Sequence, residues 1–249
     1  MILALETGGE LASVALLAGL DLVAERAFRH RMSLSRDLMP AVDALLAQAQ
    51  VAWDEIEAVA VGLGPGSYTG LRIGVVTAKG LAWASGRPVL GISSLAALVA
   101  PHLAPPDTLL CAVLEARAGE FFTAVYQRGE GELQARAEAT VLRAEELAQR
   151  LSAYPGPVLV AGHTARFSAA LRARGEGSGV RGQETGTGEP SPLTPDPSPL
   201  AFTDFDEEPQ ARWVGRLAAA RLRAGERDDP IALAPWYVRP PAPTIRREA

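Results

Sequence analysis

The sequence predicts an α/β protein made of two similar halves, each a β-β-β-α-β-α unit, and three observations predict it. First, two stretches about a hundred residues apart open alike, with an apolar run that ends in a carboxylate: Glu6 in "ILALET" and Glu115 in "LLCAVLEAR". Second, each run is followed by a turn with Gly-Glu at its exit, Gly9-Glu10 or Gly119-Glu120, and then by two more strand-like runs around a Gly turn. Third, a helical pattern follows in both halves, then a buried strand with a Gly exit, "AVAVGLGPG" against "PVLVAGHTA", leading into another helix.

Each element has its own signal. The Gly turns, at Gly19 in the first half and at Gly129 and Gly131 in the second, imply three antiparallel strands in a row. In the helix after them, Leu34, Leu38, Val42, Leu45, Leu46 and Ala49 fall on one face, and "LRAEELAQRL" is its weaker counterpart. This element order is that of the actin-like, or ribonuclease H-like (ASKHA), duplicated fold. In such a fold Glu6 and Glu115 are expected to face each other across a cleft, where strand ends and helix N-termini converge. The halves are expected at 1–104 and 105–249. The second is interrupted at about 175–209 by a segment rich in Gly, Pro, Ser, Thr and Glu, which is too polar to offset its ordering entropy and is expected to be disordered. The helix "PQARWVGRLAAARLRAG" then resumes the fold, and "PWYVRPPAP" closes it as an extended tail.

Composition excludes several classes. With 48% apolar and 21% charged residues over 249 positions, the chain is that of an ordinary globular protein, and no uncharged run reaches the length of a membrane span. The start "MILALETGGE" has an acid at Glu6 and reads as neither signal nor transit peptide, so a cytoplasmic location is expected. The lone Cys111 lies in an apolar run and reads as a small buried hydrophobe. A net charge of −5 argues against binding nucleic acid unaided, because phosphate neutralisation supplies most of that affinity.

The stretch "GPGSYTGLRIG" at 64–74 is the most distinctive motif. It lacks the Gly-Lys-Ser/Thr ending of a phosphate-binding P-loop, and Ser67 stands where a dinucleotide fingerprint needs its third Gly. Pro65 and Thr69 occupy the places where a nucleophile elbow needs Gly. Gly64, Pro65, Gly66, Ser67, Thr69 and Arg72 therefore read as a structural elbow with Ser67 as the helix N-cap; Arg72 either binds an anion or ties the elbow to backbone carbonyls. Beyond the elbow, Gly70, Gly74, Ala78 and Ala82 recur every four residues. Such a bare face implies close approach of another helix, from this chain or from another subunit.

Other chemistry is sparse. His30, His102 and His163 lie far apart without metal-ligand spacing, so no metal site is expected. Glu6 and Glu115 either do acid-base work or hold Mg²⁺ across the cleft, or are remnants of an ancestral site.

"ILALET", "GPGSYTGLRIGVVTAKGLA", "LEARAGEFFTAVY" and "PWYVR" together resemble the TsaB (YeaZ) family, and the resemblance runs along nearly the whole chain outside the insertion. It implies an actin-like scaffold that has largely lost its own active site and supports synthesis of threonylcarbamoyladenosine in tRNA. The implied partners are the catalytic subunit TsaD, as a heterodimer, and the ATPase TsaE. A threonylcarbamoyl-adenylate synthase supplies the donor, tRNA is contacted only through the complex, and a homodimer is open to the chain when TsaD is absent. No catalytic residue or tightly bound cofactor is implied, with ATP or ADP and Mg²⁺ placed at the joint interface. The family's usual Asp is replaced by Glu at Glu6 and Glu115, so Glu6, Thr7 and Glu115 mark at most a vestigial nucleotide or Mg²⁺ site. The family's dimer surface points to Leu38, Val42, Leu45 and Leu46 of the first helix with Gly70, Gly74 and Ala78 of the second. An independent ATP-dependent kinase of the same superfamily is the alternative; a peptidase would need a nucleophile or metal that the sequence does not offer.

Overall fold

Strand β1 (Ile2–Glu6) is buried at every position because it is the middle strand of a five-stranded sheet covered on both faces, which is why it reads as an unbroken apolar run. It pairs antiparallel with β2 (Leu11–Ala18), which turns at Gly19 into β3 (Asp21–Arg29). On its other side it pairs parallel with β4 (Ala58–Gly62), which pairs parallel with β5 (Val89–Ile92), giving the order β3-β2-β1-β4-β5. Alternation along β1 sorts the core into two layers. Leu3 and Leu5 pack with Leu38, Val42 and Leu45 of α1 (Leu34–Ala49) and with Val75 and Ala78 of α2 (Tyr68–Ser85). Ile2 and Ala4 pack on the opposite face with Ala97 of α3 (Ser94–Val99) and with Val214 and Ala218 of α6 (Ala211–Arg223).

The computed structural model describes residues 1–30, 32–102, 104–105, 107–117, 119–129, 133–175, 200–203 and 206–238. Its second sheet contains β6 (Leu109–Arg117), β7 (Glu120–Arg128), β8 (Leu133–Arg143), β9 (Val158–Gly162) and β10 (Leu200–Phe202) in the order β10-β9-β6-β7-β8. Read from the meander end, β8-β7-β6-β9-β10 repeats β3-β2-β1-β4-β5, with parallel pairing at the same places. Helices α4 (Ala144–Ser152) and α5 (Thr164–Gly175) belong to this unit, whose core joins Val113, Phe121, Leu147, Val160 and Phe167. This is the duplicated actin-like α/β fold that the sequence predicts.

Three features depart from the expected layout. The compact units are Met1–Leu103 with Glu207–Ala249, and Ala104–Asp206, so α6 belongs to the first unit rather than to a second half running to 249. Its stripe of Ala211, Val214, Ala218 and Ala219 is what closes the open face of the first sheet. The short β5 and α3 carry no periodic signal long enough to read. Finally, the segment expected to be disordered from about 175 to 209 is ordered over its last part. Leu200, Ala201 and Phe202 pair with Val158, Leu159 and Val160, and Glu207 Oε2 lies 2.8 Å from His102 Nε2. Residues 176–199 and 204–205 of that segment lie outside the described residues.

Candidate functional site

The elbow between β4 and α2 is organised around a buried carboxylate. Glu6, at the end of β1, has no exposed surface, and its Oε1 accepts hydrogen bonds from the amides of Thr7 (2.9 Å) and Gly8 (2.8 Å). Its Oε2 accepts from the Ser94 hydroxyl at 2.7 Å, and that hydroxyl in turn accepts from the Gly64 amide at 3.1 Å. Burial pushes the Glu6 carboxyl above its ordinary value, opposed by the donors at Gly8, Ser94 and Thr7. A Cβ on Gly62 would collide with this carboxylate, so strand β4 must end in Gly for Glu6 to fold back beside it. The elbow then rests on the turn after β1, with the Ser67 amide donating to Gly8 O at 2.7 Å. Gly64 and Pro65 are buried and joined by a cis peptide, and Ser67 caps α2 by accepting from the Gly70 amide at 3.3 Å.

The small-residue stripe has its reason inside this unit. Thr7 Oγ1 donates to Gly70 O at 3.0 Å, and a Cβ at Gly70 or Gly74 would strike the Thr7 carbonyl or hydroxyl respectively. What approaches closely is therefore the end of β1, neither a helix of this chain nor another subunit. Leu38, Val42, Leu45, Leu46 and Ala78 are likewise 0–5% exposed and packed into the first core. The residues assigned to partner contact thus form the interior, a correction whose cause is simple: an apolar helix face reads the same whether its own sheet or a partner covers it.

The outward face of α2 holds different residues. Tyr68, Arg72, Val76 and Trp83 share one side of the helix, and Val76 and Trp83 are 68% and 83% exposed. Gly80 lies between them, exposed, with nothing within 4 Å of where its Cβ would be. Arg72 neither ties down backbone carbonyls nor reaches the buried site. Its guanidinium donates to the Tyr68 hydroxyl at 3.1 Å and lies 5.3 Å from that ring's centre. Thr69 is exposed in the first turn of the same helix.

In the second unit Glu115 ends β6 as Glu6 ends β1, but its surroundings differ. Its Oε2 accepts from Arg166 at 3.2 Å, and Arg166 also meets Asp206 Oδ2 at 3.5 Å. Asp206 Oδ1 accepts the Ala165 amide at 2.8 Å in the first turn of α5, the place where a bound anion would sit. The amide of Glu115 donates to His163 Nδ1 at 2.9 Å. Glu6 and Thr7, fully buried and hydrogen-bonded within the chain, do not fit a nucleotide or Mg²⁺ site, and Glu115 is already paired. The three histidines lie apart, on Gly9 O, on Glu207 and on the Glu115 amide, and among the described residues no group of three His, Cys, Asp or Glu could hold a metal. Cys111 is buried, its thiol pushed up to about 12 by desolvation. Ser94 and Asp206 are the site residues that sequence reading misses; the capping-type "ISSL" before α3 was the available signal for Ser94.

Comparison with known proteins places these features in a family. Residues 28–168 match the family model described as TsaD, tRNA N6-adenosine threonylcarbamoyltransferase. The chain is 34% identical over 228 residues to the tRNA threonylcarbamoyladenosine biosynthesis protein TsaB of Bacillus subtilis, covering 90% of this chain and 95% of that one. It is 33% identical over 163 residues to the protein of the same name from Escherichia coli, covering 65% and 70% respectively. Among solved structures, a Pseudomonas aeruginosa protein described as similar to peptidase YEAZ superposes with a TM-score of 0.74 at 28% identity, over 96% of this chain and 99% of that one. The likeness to a TsaB protein over 90% of this chain and 95% of that one, on a matching fold, identifies the chain as a member of the TsaB family of tRNA threonylcarbamoyladenosine biosynthesis proteins.

Proposed function

We propose that this chain is a scaffold subunit for threonylcarbamoyl transfer to N6 of the adenosine next to the anticodon, in tRNAs that read codons beginning with A. It acts by docking the catalytic subunit TsaD on the outward face of α2, with TsaE joining the complex and a synthase supplying threonylcarbamoyl-adenylate. One observation carries this reading: Gly80, a helix-interior glycine with open space around it, stands between the exposed Val76 and Trp83. A glycine there costs about 1 kcal/mol relative to Ala and has no use inside the monomer, whereas it lets a partner helix come close. Support for a non-catalytic role comes from Glu6 and Glu115, whose carboxylates are already engaged by Thr7, Gly8, Ser94 and Arg166. ATP or ADP with Mg²⁺ then belongs at the surface shared with TsaD, and a homodimer through the same face, weaker than the heterodimer, is the form open to the chain without TsaD. A cytoplasmic location follows from the tRNA substrate; among the described residues no helix is long and apolar enough to cross a membrane.

The test is an omission assay with labelled threonine, bicarbonate, ATP, unmodified tRNA, the synthase, TsaD and TsaE. Modification is expected to fall to background without this chain, to return with wild type and to stay low with Val76→Glu. Undiminished modification without the chain would overturn the reading, and tight ATP binding by the isolated chain would favour a kinase instead.

A further inference from the structure

The last described segment of the chain returns to the face just assigned to partner contact. After α6, Asp228 pairs with the β5 edge, its amide donating to Val89 O at 3.1 Å and its carboxylate accepting from the Gly91 amide at 2.7 Å and from Arg221. Leu233 inserts into the first core. The Lys79 ammonium, on α2, donates to the carbonyls of Ile231 (3.3 Å) and Leu233 (2.9 Å), and the Trp236 amide donates to Leu63 O at 2.8 Å. Tyr237 then lies against Tyr68, ring centres 4.9 Å apart and planes tilted by 33°. The strap so fixed leaves Ile231, Trp236 and Tyr237 at 88%, 40% and 36% exposure and meets α2 at Tyr68 and Lys79, the helix whose outward side carries Val76 and Trp83; together with Tyr68 these are six of the ten large exposed hydrophobics among the described residues. Exposed apolar surface gathered this way marks an interaction site.

We propose that residues 231–238 form the second wall of the surface that receives the threonylcarbamoyltransferase subunit, with Trp236 and Tyr237 as anchors and Arg72 meeting a carboxylate of that partner. The proposal rests on the reading of α2 as the docking face. Charge selects the occupant. Neither 68–85 nor 231–238 contains an Asp or Glu; Lys79 is held by two carbonyls, and the nearest acid in sequence, Asp229, accepts the Ile231 amide. A second copy, paired about a twofold axis, would set one Arg72-bearing surface, with no acid in either segment, against another, whereas a different partner can supply more negative charge. The transferase family model matches 28–168, which includes α1 and α2, so that partner brings a related pair of helices with its own side chains.

The experiment measures association of full-length chain with purified TsaD by calorimetry, and self-association by sedimentation, for wild type, Trp236→Ser/Tyr237→Ser, Arg72→Glu and Val76→Glu. The double variant and Arg72→Glu should each weaken the heterodimer about tenfold or more while the melting temperature of the isolated chain holds. Should the double variant melt early, Trp236→Ser alone, at a side chain 40% exposed on the strap itself, decides the matter. Loss with Val76→Glu but not with the other two overturns the strap and leaves the α2 reading intact; no loss with any of the three removes both. Weakened self-association with an unchanged heterodimer overturns the choice of partner.

Discussion

The side chain of Thr7 fills the notch left by Gly74: a Cβ at Gly74 would collide with the Thr7 hydroxyl, which donates instead to Gly70 O at 3.0 Å. Residues 67 positions apart in sequence are thereby locked, and the end of β1, which carries Glu6, is held against the first turns of α2. The motif "TGLRIG" is thus read from the β1 side, and its glycines are the shape of Thr7 in negative.

Gly74→Ala should destabilise the isolated chain by about 1–3 kcal/mol, the usual cost of overpacking, and Gly74→Leu should not fold. Urea unfolding checks this. Thr7→Ala combined with Gly74→Ala should cost less than the sum of the single changes, with a coupling of about 0.5 kcal/mol or more. Strict additivity would show that the two residues do not share the contact.

Gly80→Ala should act in the opposite sense. With nothing near its Cβ, alanine there raises helix propensity, and the isolated chain should gain about 0.5–1 kcal/mol. The same change should weaken association with TsaD, because a methyl group then stands where the partner comes closest. A variant that is more stable and binds unchanged would show that Gly80 lies outside the interface.

The fold was largely legible and the exposed face of α2 was not, for one physical reason. Strand alternation, Gly turns and the duplicated carboxylate ends are local signals, and they set the order of elements in each half. Which face of an amphipathic helix meets its own sheet is also local, so Leu38, Val42 and Leu45 were visible as one stripe. A partner surface is defined by what the fold leaves uncovered. That depends on β1 lying under Gly70 and Gly74, on α6 returning to the first sheet and on the strap reaching Tyr68, none of which has a sequence period. The site suffered likewise: Glu6 was conspicuous, but Ser94 and Gly62, which close over it, come from other strands' ends.

Glu6 gives the molecule a specific pH dependence. Burial raises its folded pKa above the ordinary value of 4.5, so its contribution to stability is fully present below that value and is lost as pH rises through the raised one. The stability of wild type relative to Glu6→Gln should therefore fall as pH increases from about 4.5 through that window. Chemical denaturation at a series of pH values measures the difference, and a difference that grows with pH would reverse the sign. Glu6→Ala is a harsher change: it leaves the Thr7 and Gly8 amides and the Ser94 hydroxyl without their acceptor, at about 1–3 kcal/mol for each buried group so stranded.

The interruption of the second half has two parts that deletion should separate. Replacing 176–199 by a short Gly-Ser linker removes no described contact, and the melting temperature and support of tRNA modification should both hold. Extending the deletion through 209 removes β10 from the edge of β9, the Thr203 carbonyl from the Thr164 hydroxyl, and Asp206 from the Ala165 amide and Arg166. The α5 cap alone is worth about 1 kcal/mol, and the Phe202 ring, 6.1 Å from that of Phe167, goes with it. Thermal melting should fall by several degrees for the longer deletion only. Equal melting of the two would mean that β10 and Asp206 add nothing to the second unit, and the boundary of the dispensable segment would then lie at 209.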